Sequence, residues 1–226
     1  MADEQHLIRG GGRALVAGGV LFAVATVLHP SQETPASILD KEVQLVGSHA
    51  IYIVACLLIL LGLPVLYGFD LRRVGRLGST GFLVAWIGTA LLAISSQFGF
   101  IAPALAATAP VTLDRVIAYP PVVVFNGIAA VAFMAGYVML GMALSRSSAF
   151  SGWPGLLVGV GAPAHLIAAG VAQLAAPGLW FLAVLGAAAL GAGLAWCGSR
   201  MAGASLLDAG GGAPKPRTPM WRGRGG

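Results

Sequence analysis

Charged side chains are scarce in this sequence. Of its 226 residues, 13 are Lys or Arg and 8 are Asp or Glu, which together make 9% of the chain. Soluble domains contain about 25% charged residues, because they need a shell that faces water. Between residues 43 and 113 the only acidic residue is Asp70, and residues 116–207 contain none. With 58% hydrophobic residues, most of the surface must face an apolar solvent, which excludes an ordinary soluble fold.

Several motifs that carry chemistry are also absent. The apolar segments contain no Asp, Glu, Lys or Arg, which argues against a proton-driven pump, a voltage sensor or a retinal Schiff base. Motifs of the types G-x-S-x-G, H-E-x-x-H, G-x-G-x-x-G and Walker are missing. No C-x-x-C pair occurs, and Cys56 and Cys197 fall at different depths, so we predict neither a cysteine metal site nor a disulfide.

What remains is a set of long apolar runs that predict an all-α bundle of transmembrane helices. A spanning helix needs roughly 20 mostly apolar residues. Continuous apolarity excludes alternating barrel strands, and a helix satisfies its own backbone hydrogen bonds in lipid. Six segments qualify: about 14–29, 48–69, 79–101, 121–144, 154–174 and 178–198.

The basic residues predict the orientation of these spans. If the N-terminus is cytoplasmic, eleven of the 13 basic residues lie on the cytoplasmic side and only Lys41 and Arg115 lie outside. The positive-inside rule therefore predicts a cytoplasmic-membrane protein with both termini in the cytoplasm. Because the positive charge follows this topology, we expect no nucleic-acid partner.

The predicted organisation has three parts. Residues 1–13 form a cytoplasmic segment, residues 14–201 form the transmembrane domain, and residues 202–226 form a basic tail that lacks an apolar face and is expected to be disordered. The first span is interpreted as a retained anchor; a cleaved signal peptide is the alternative.

Two sequence patterns concern how the helices pack. A shift of 74 residues places spans two and three on spans four and five, so that Gly62 meets Gly136 and Arg72 meets Arg146. This pattern predicts a parallel repeat of helical hairpins, with chance matching as the alternative. Small residues four apart, such as Gly155 and Gly159, predict close helix packing within the chain, with a homo-oligomer or a membrane-protein partner as the alternative.

Polar side chains in the spans mark the candidate sites, and most fall in the outer half of the membrane. His29 and His49 lie at matching depth and are the candidates for binding a metal ion or haem. A pocket for a small amphiphile such as a quinone, lipid or isoprenoid is the second interpretation. Its candidate ligands are His165, Asn126, Gln97 and Ser96. The third is that these side chains only face headgroups or join helices.

The first hundred residues resemble a loose class of uncharacterised six-span bacterial membrane proteins. The matching features are His29-Pro30 closing the first span, Gly47-Ser48-His49 opening the second, Leu66-Tyr67 at its end, and Gly78 opening the third after an Arg-rich turn. The resemblance implies the six-span fold, and the class has no assigned activity.

The sequence therefore predicts a multi-pass membrane protein surrounded by lipids, without evident catalysis. An accessory subunit or binder of a small amphiphile near the outer face is the leading interpretation. The alternatives are a small-solute carrier, and a haem- or metal-bearing redox protein or membrane enzyme.

Overall fold

A computed structural model describes residues 2–150 and 152–210, with the backbone alone for residues 2 and 204–210. The described chain is almost entirely helical. Its helices are α1 (Ala2–Leu28), α2 (Pro35–Asp40), α3 (Glu42–Phe69), α4 (Arg76–Ser95), α5 (Phe98–Thr108), α6 (Pro110–Ile117), α7 (Pro120–Arg146), α8 (Trp153–Leu174) and α9 (Trp180–Gly210). Short 3₁₀ turns lie at Leu71–Val74 and Pro177–Leu179.

The all-α fold and the six spans are confirmed. Six helical stretches are long and apolar enough to cross a membrane: Asp3–Leu28, Glu42–Phe69, Arg76–Thr108, Pro120–Arg146, Trp153–Leu174 and Pro177–Gly203. The third stretch comprises α4 and α5 in succession. The chain is therefore built as a multi-pass membrane protein.

The spanning helices form a closed ring that follows their order in the sequence, with α3 packed on α4 and the last helix, α9, packed on the first. The first helix, α1, lies between α3 and α9, while α4 packs on α7, and α8 lies between α7 and α9. Because successive spans run in opposite directions, the bundle has two distinct ends. We call them the histidine end, which contains His29 and His49, and the arginine end, where α7 finishes at Arg146.

Aromatic side chains fill the middle of the bundle. The ring of Phe22 stacks on that of Phe133 at 6.0 Å and lies 4.6 Å from that of Tyr52. Tyr137 follows, 4.5 Å from Phe133, and its hydroxyl forms a 2.9 Å hydrogen bond with that of Thr89. Thr89 itself donates to the carbonyl of Ala85 at 2.7 Å, so the buried hydroxyls have partners, as an apolar core demands.

Glycine allows several of these helices to touch through their backbones. A Cβ added to Gly19 of α1 would lie 2.5 Å from the carbonyl oxygen of Gly191 in α9. A Cβ added to Gly141 of α7 would lie 2.5 Å from the carbonyl oxygen of Gly155 and 2.6 Å from the backbone of Gly159, both in α8. The small residues singled out in the sequence therefore pack within the chain, where close backbone approach strengthens helix contacts in lipid.

A buried carboxylate joins the two connecting turns at the arginine end. Asp70, only 4% exposed, accepts a hydrogen bond from the hydroxyl of Ser147 and another, at 3.4 Å, from the backbone N–H of Ala149. The Ser147 oxygen also accepts the N–H of Phe150 at 3.1 Å. These bonds link the hairpin α3–α4 to the hairpin α7–α8.

The two hairpins have turns of equal length, residues 70–75 and 147–152, and each turn ends on a glycine with positive φ, Gly75 or Gly152. Aligning the turns so that these two glycines pair requires a shift three residues longer than the 74-residue shift that the sequence indicated. The parallel repeat therefore stays a prediction.

Several element boundaries differ from the predicted ones. Helix α1 begins at Ala2 and includes the glycines of residues 10–12, where Gly12 packs against Gly198. The connections at the histidine end contain the helices α2 and α6. Helix α9 continues to Gly210, past the predicted start of the tail, and the rest of that tail, residues 211–226, lies outside the described residues.

Candidate functional site

At the histidine end, the structure brings two histidines and a glutamate together. Helix α1 ends at Leu28, before Pro30, which has no N–H to donate and restricts the residue before it. His29 thus leaves the helix and faces His49 in the second turn of α3. Their Nε2 atoms are 3.1 Å apart, and the Nε2 of His29 is also 3.1 Å from Oε1 of Glu33. One ligand atom from each residue lies within 4.8 Å of the others.

Backbone carbonyls fix the direction in which both imidazoles point. Nδ1 of His29 lies 2.7 Å from the carbonyl oxygen of Pro30, and Nδ1 of His49 lies 2.7 Å from that of Ser96. A carbonyl oxygen only accepts, so each Nδ1 must carry the hydrogen. In the neutral imidazoles both Nε2 atoms are then lone-pair acceptors, and they face each other.

A break between α4 and α5 supplies the carbonyl that holds His49. At residues 96 and 97 the helical hydrogen bonds change to the i+3 pattern: the N–H of Gly99 donates to Ser96 and that of Phe100 to Gln97. The Ser96 carbonyl therefore lacks an ordinary helical partner and accepts from His49 as well. A Cβ on Gly99 would overlap the imidazole ring of His49, so glycine makes room for that ring.

Glu33 is held by a helix distant in the sequence. Its backbone N–H donates to Oε1 of Gln173 at 3.1 Å, and Nε2 of Gln173 is 3.4 Å from Oε1 of Glu33. Burial raises the pKa of Glu33, but the hydrogen bond from His29 and the positive charge that His29 and His49 carry when protonated outweigh burial and hold the pKa below its ordinary value. The carboxyl group is therefore ionised near neutral pH.

Trp180, the first residue of α9, covers one side of the cluster. Its ring stacks on that of His29 at 5.2 Å, and its indole N–H donates to the carbonyl of Thr26 at 3.2 Å. The side chains of His29 and Glu33 remain 16% and 29% exposed. The cluster is therefore walled by the bundle and open on one side.

The four residues proposed for an amphiphile pocket lie in different surroundings. His165 is buried beside Phe22, with its Nδ1 3.1 Å from the carbonyl of Ala183. Asn126 and Gln97 are exposed, whereas Ser96 is buried and donates its hydroxyl to Leu92 at 2.9 Å. In the part of the chain that the structure describes, no hydrogen bond joins any two of the four. An amphiphile pocket built from them stays a prediction.

The sequence did not identify two residues of the cluster, Glu33 and Gln173. Glu33 was not among the predicted site residues, although its spacing of four from His29 was a usable signal. Gln173 follows 140 positions later, and nothing local indicates its contact. Only the packing of α8 near the end of α1 brings it there.

The arrangement presents two imidazole nitrogens and a carboxylate oxygen to one point. Two neutral imidazoles and a carboxylate supply three acceptors, and a cation would satisfy all three. The chain matches no family model, no curated protein and no solved structure.

Proposed function

We propose that this protein is a membrane metalloprotein that binds one divalent transition-metal ion at its histidine end. The ligands are Nε2 of His29, Nε2 of His49 and Oε1 of Glu33. One observation carries the proposal: both Nδ1 atoms donate to carbonyls, so the two Nε2 lone pairs are aimed at each other across 3.1 Å with a carboxylate beside them. Such a convergence of acceptors is unfavourable without a cation between them.

The spacing supports a single small ion. Ligand atoms about 2.0–2.1 Å from a tetrahedral zinc ion are ~3.3 Å from one another. Two of the three pairs in the cluster are 3.1 Å apart, and the ligand atoms of the third pair, His49 and Glu33, lie within 4.8 Å. Haem needs more space, because a porphyrin ring would have to pass between two imidazoles whose centroids are 5.0 Å apart. The geometry therefore favours the metal alternative over haem.

The donor set indicates the class of metal. Imidazole with carboxylate suits Zn²⁺ and neighbouring transition metals, whereas Mg²⁺ and Ca²⁺ prefer oxygen ligands alone. Both cysteines are buried in the spans, and neither is among the ligands. Each imidazole is oriented through its other nitrogen by a carbonyl, the usual support of a histidine that binds metal.

Three protein ligands leave at least one coordination position open. Sites of this type bind water or a small ligand at that position, whereas closed structural zinc sites use four protein ligands. The open side of the cluster, next to Glu33, supports such an exchangeable position. The amphiphile-binding and carrier interpretations stay predictions, and each is compatible with an ion here.

The test is metal binding by purified protein that has first been stripped with a chelator. Titration with Zn²⁺ should show one ion per chain, and Co²⁺ should give the visible absorption of a low-coordinate nitrogen and oxygen site. His49→Ala should weaken zinc binding at least ~100-fold, because loss of a mere supporting group already costs 10–100-fold.

His6→Ala is the matched control, because His6 is exposed near the start of α1, at the arginine end. This variant should bind zinc as the unaltered protein does. Equal affinity in the His49 and His6 variants would overturn the proposal. So would a protein that binds no zinc and shares a proton between the two Nε2 atoms, seen by nitrogen NMR of the imidazoles.

A further inference from the structure

A second feature lies at the opposite end of the bundle, in a groove between α7 and α8. It has a volume of about 310 Å³ and is lined by apolar side chains, among them Met142, Leu156 and Val160. Its floor is backbone, because Gly141 contacts Gly155 and Gly159. The groove faces the lipid side of the spanning helices, so whatever occupies it must itself be apolar.

The groove is apolar except for Ser145, whose hydroxyl donates to the carbonyl of Gly141 at 2.9 Å, and for a positive charge at its end. Arg146, the last residue of α7, is part of its lining and is exposed. Among the side chains that the structure describes, no carboxylate lies within 4.0 Å of Arg146 to pair with it. Trp153, 69% exposed at the start of α8, marks the same depth, since exposed tryptophan prefers the headgroup region.

The length of the groove matches one leaflet. From Val138 to Arg146 the rise of α7 is ~12 Å, and half of the hydrocarbon core is ~15 Å. A chain lying in the groove would therefore reach from the headgroup level nearly to the bilayer centre. That is the extent of a lipid acyl chain from a single leaflet.

We propose that this groove binds an anionic phospholipid, with one acyl chain between α7 and α8 and its phosphate on Arg146. Charge complementarity selects this occupant: an exposed guanidinium above an apolar groove matches an anionic headgroup above a hydrocarbon chain. A second copy of the chain fits less well, because copies related by a two-fold axis along the membrane normal place both arginines at the same depth.

The test is native mass spectrometry of the full chain with phosphatidylglycerol or phosphatidylcholine of identical acyl chains. The unaltered protein should retain phosphatidylglycerol in preference. Arg146→Gln should reduce that preference about five-fold, the effect of one basic residue near an anionic surface. Arg76→Gln, which removes an exposed charge at the same end but outside the groove, should leave the preference unchanged.

A groove-filling pair tests the apolar part. Leu156→Trp fills this groove, whereas Leu182→Trp fills a larger groove between α8 and α9 that is lined by apolar residues only. Both positions are exposed leucines, 50% and 40%, so both variants should fold. Lipid retention should fall only for Leu156→Trp.

Equal losses for Arg146→Gln and Arg76→Gln would overturn the proposal, because they would indicate a diffuse electrostatic effect. Equal retention of both lipids would overturn it too. A dimer that Leu156→Trp abolishes would assign the groove to a second copy instead.

Discussion

Gln173 is the residue through which α8 reaches the ligand Glu33. Its amide both accepts from the backbone and donates to the carboxylate, so it fixes the position of Glu33 without belonging to the proposed ligands. We expect Gln173→Ala to weaken zinc binding about ten-fold, at the low end of the range for supporting groups. Calorimetric titration of the chelator-stripped protein with Zn²⁺ measures this change in affinity.

Gln44→Ala is the control, because its amide donates to the carbonyl of Leu28 at 2.6 Å at the same end but does not contact Glu33. If the two variants bind zinc alike, Gln173 does not position the ligand.

The position of a single residue was predictable where its depth in the membrane alone determines it. The lengths of the apolar runs place His29 and His49 at the same membrane depth, and the structure has them in contact. Glu33 and Gln173 escaped prediction because their contact depends on which helices are neighbours, and apolar runs carry no such information. The surroundings of Asn126 and His165 could not be predicted for the same reason. The sequence gives the depth of each residue but not the direction in which it faces on its helix, and the structure leaves Asn126 exposed and His165 buried.

At the scale of helices, the break between α4 and α5 is the device that holds His49. Gly99→Ala puts a methyl group where the imidazole lies, and the ring cannot retreat without losing its bond to Ser96. We expect this substitution to weaken zinc binding at least ten-fold while the protein stays folded.

Gly170→Ala serves as its control, because an added Cβ there meets nothing within 4 Å. Both substitutions raise helix propensity alike, so a difference in zinc affinity reports the contact with His49. Unchanged affinity in Gly99→Ala would show that the ring has space to move.

The link between the two turns at the arginine end predicts an effect on stability. Asp70→Ala removes the acceptor of the Ser147 hydroxyl and leaves that buried donor unpaired, whereas the N–H of Ala149 keeps the Ser147 oxygen as a partner at 3.2 Å. We expect a cost of about 1–3 kcal/mol. Thermal unfolding in detergent should show a lowered midpoint.

The double variant with Ser147→Ala should lose less than the sum of the two single changes, since both remove the same bond. Additive losses would mean that Asp70 stabilises the fold by another route.

The presence of the helices was easier to predict than their first and last residues. Apolar runs reveal spans because lipid offers no partner for backbone groups. Helix α1 extends N-terminal of the predicted first span and includes the glycines at residues 10–12, a residue type with low helix propensity. In the bundle Gly11 packs on Val65, and Gly12 on Gly198, so their absent side chains serve helix contact. The break at Ser96 and Gln97 has no local signal, since both residues are compatible with a continuous helix.

On the scale of the whole molecule, the orientation predicted from basic residues assigns a side to each end. The arginine end should face the cytoplasm and the histidine end the opposite side. Paired reporters fused after Gly226, one active only in the cytoplasm and one only outside it, measure this. The cytoplasmic reporter should be active.

A fusion placed after Asp40, in the first outer connection, should give the reverse result. If both fusions report the same side, the six-span topology is wrong. If both fusions report the side opposite to the predicted one, the six-span topology is still correct, but the metal site faces the cytoplasm and the lipid site faces the other side.

All three proposed ligands fall within residues 29–49, between the end of α1 and the second turn of α3. During synthesis, the complete ligand set is therefore present once the first two spanning helices have been made, and the loop to be closed is short. Ser96 and Gln173 arrive later and orient a set already assembled. If the proposed ion binds there, metal supply would act on biogenesis, because an ion bound to the nascent hairpin would fix the pair of helices on which the remaining four spans assemble.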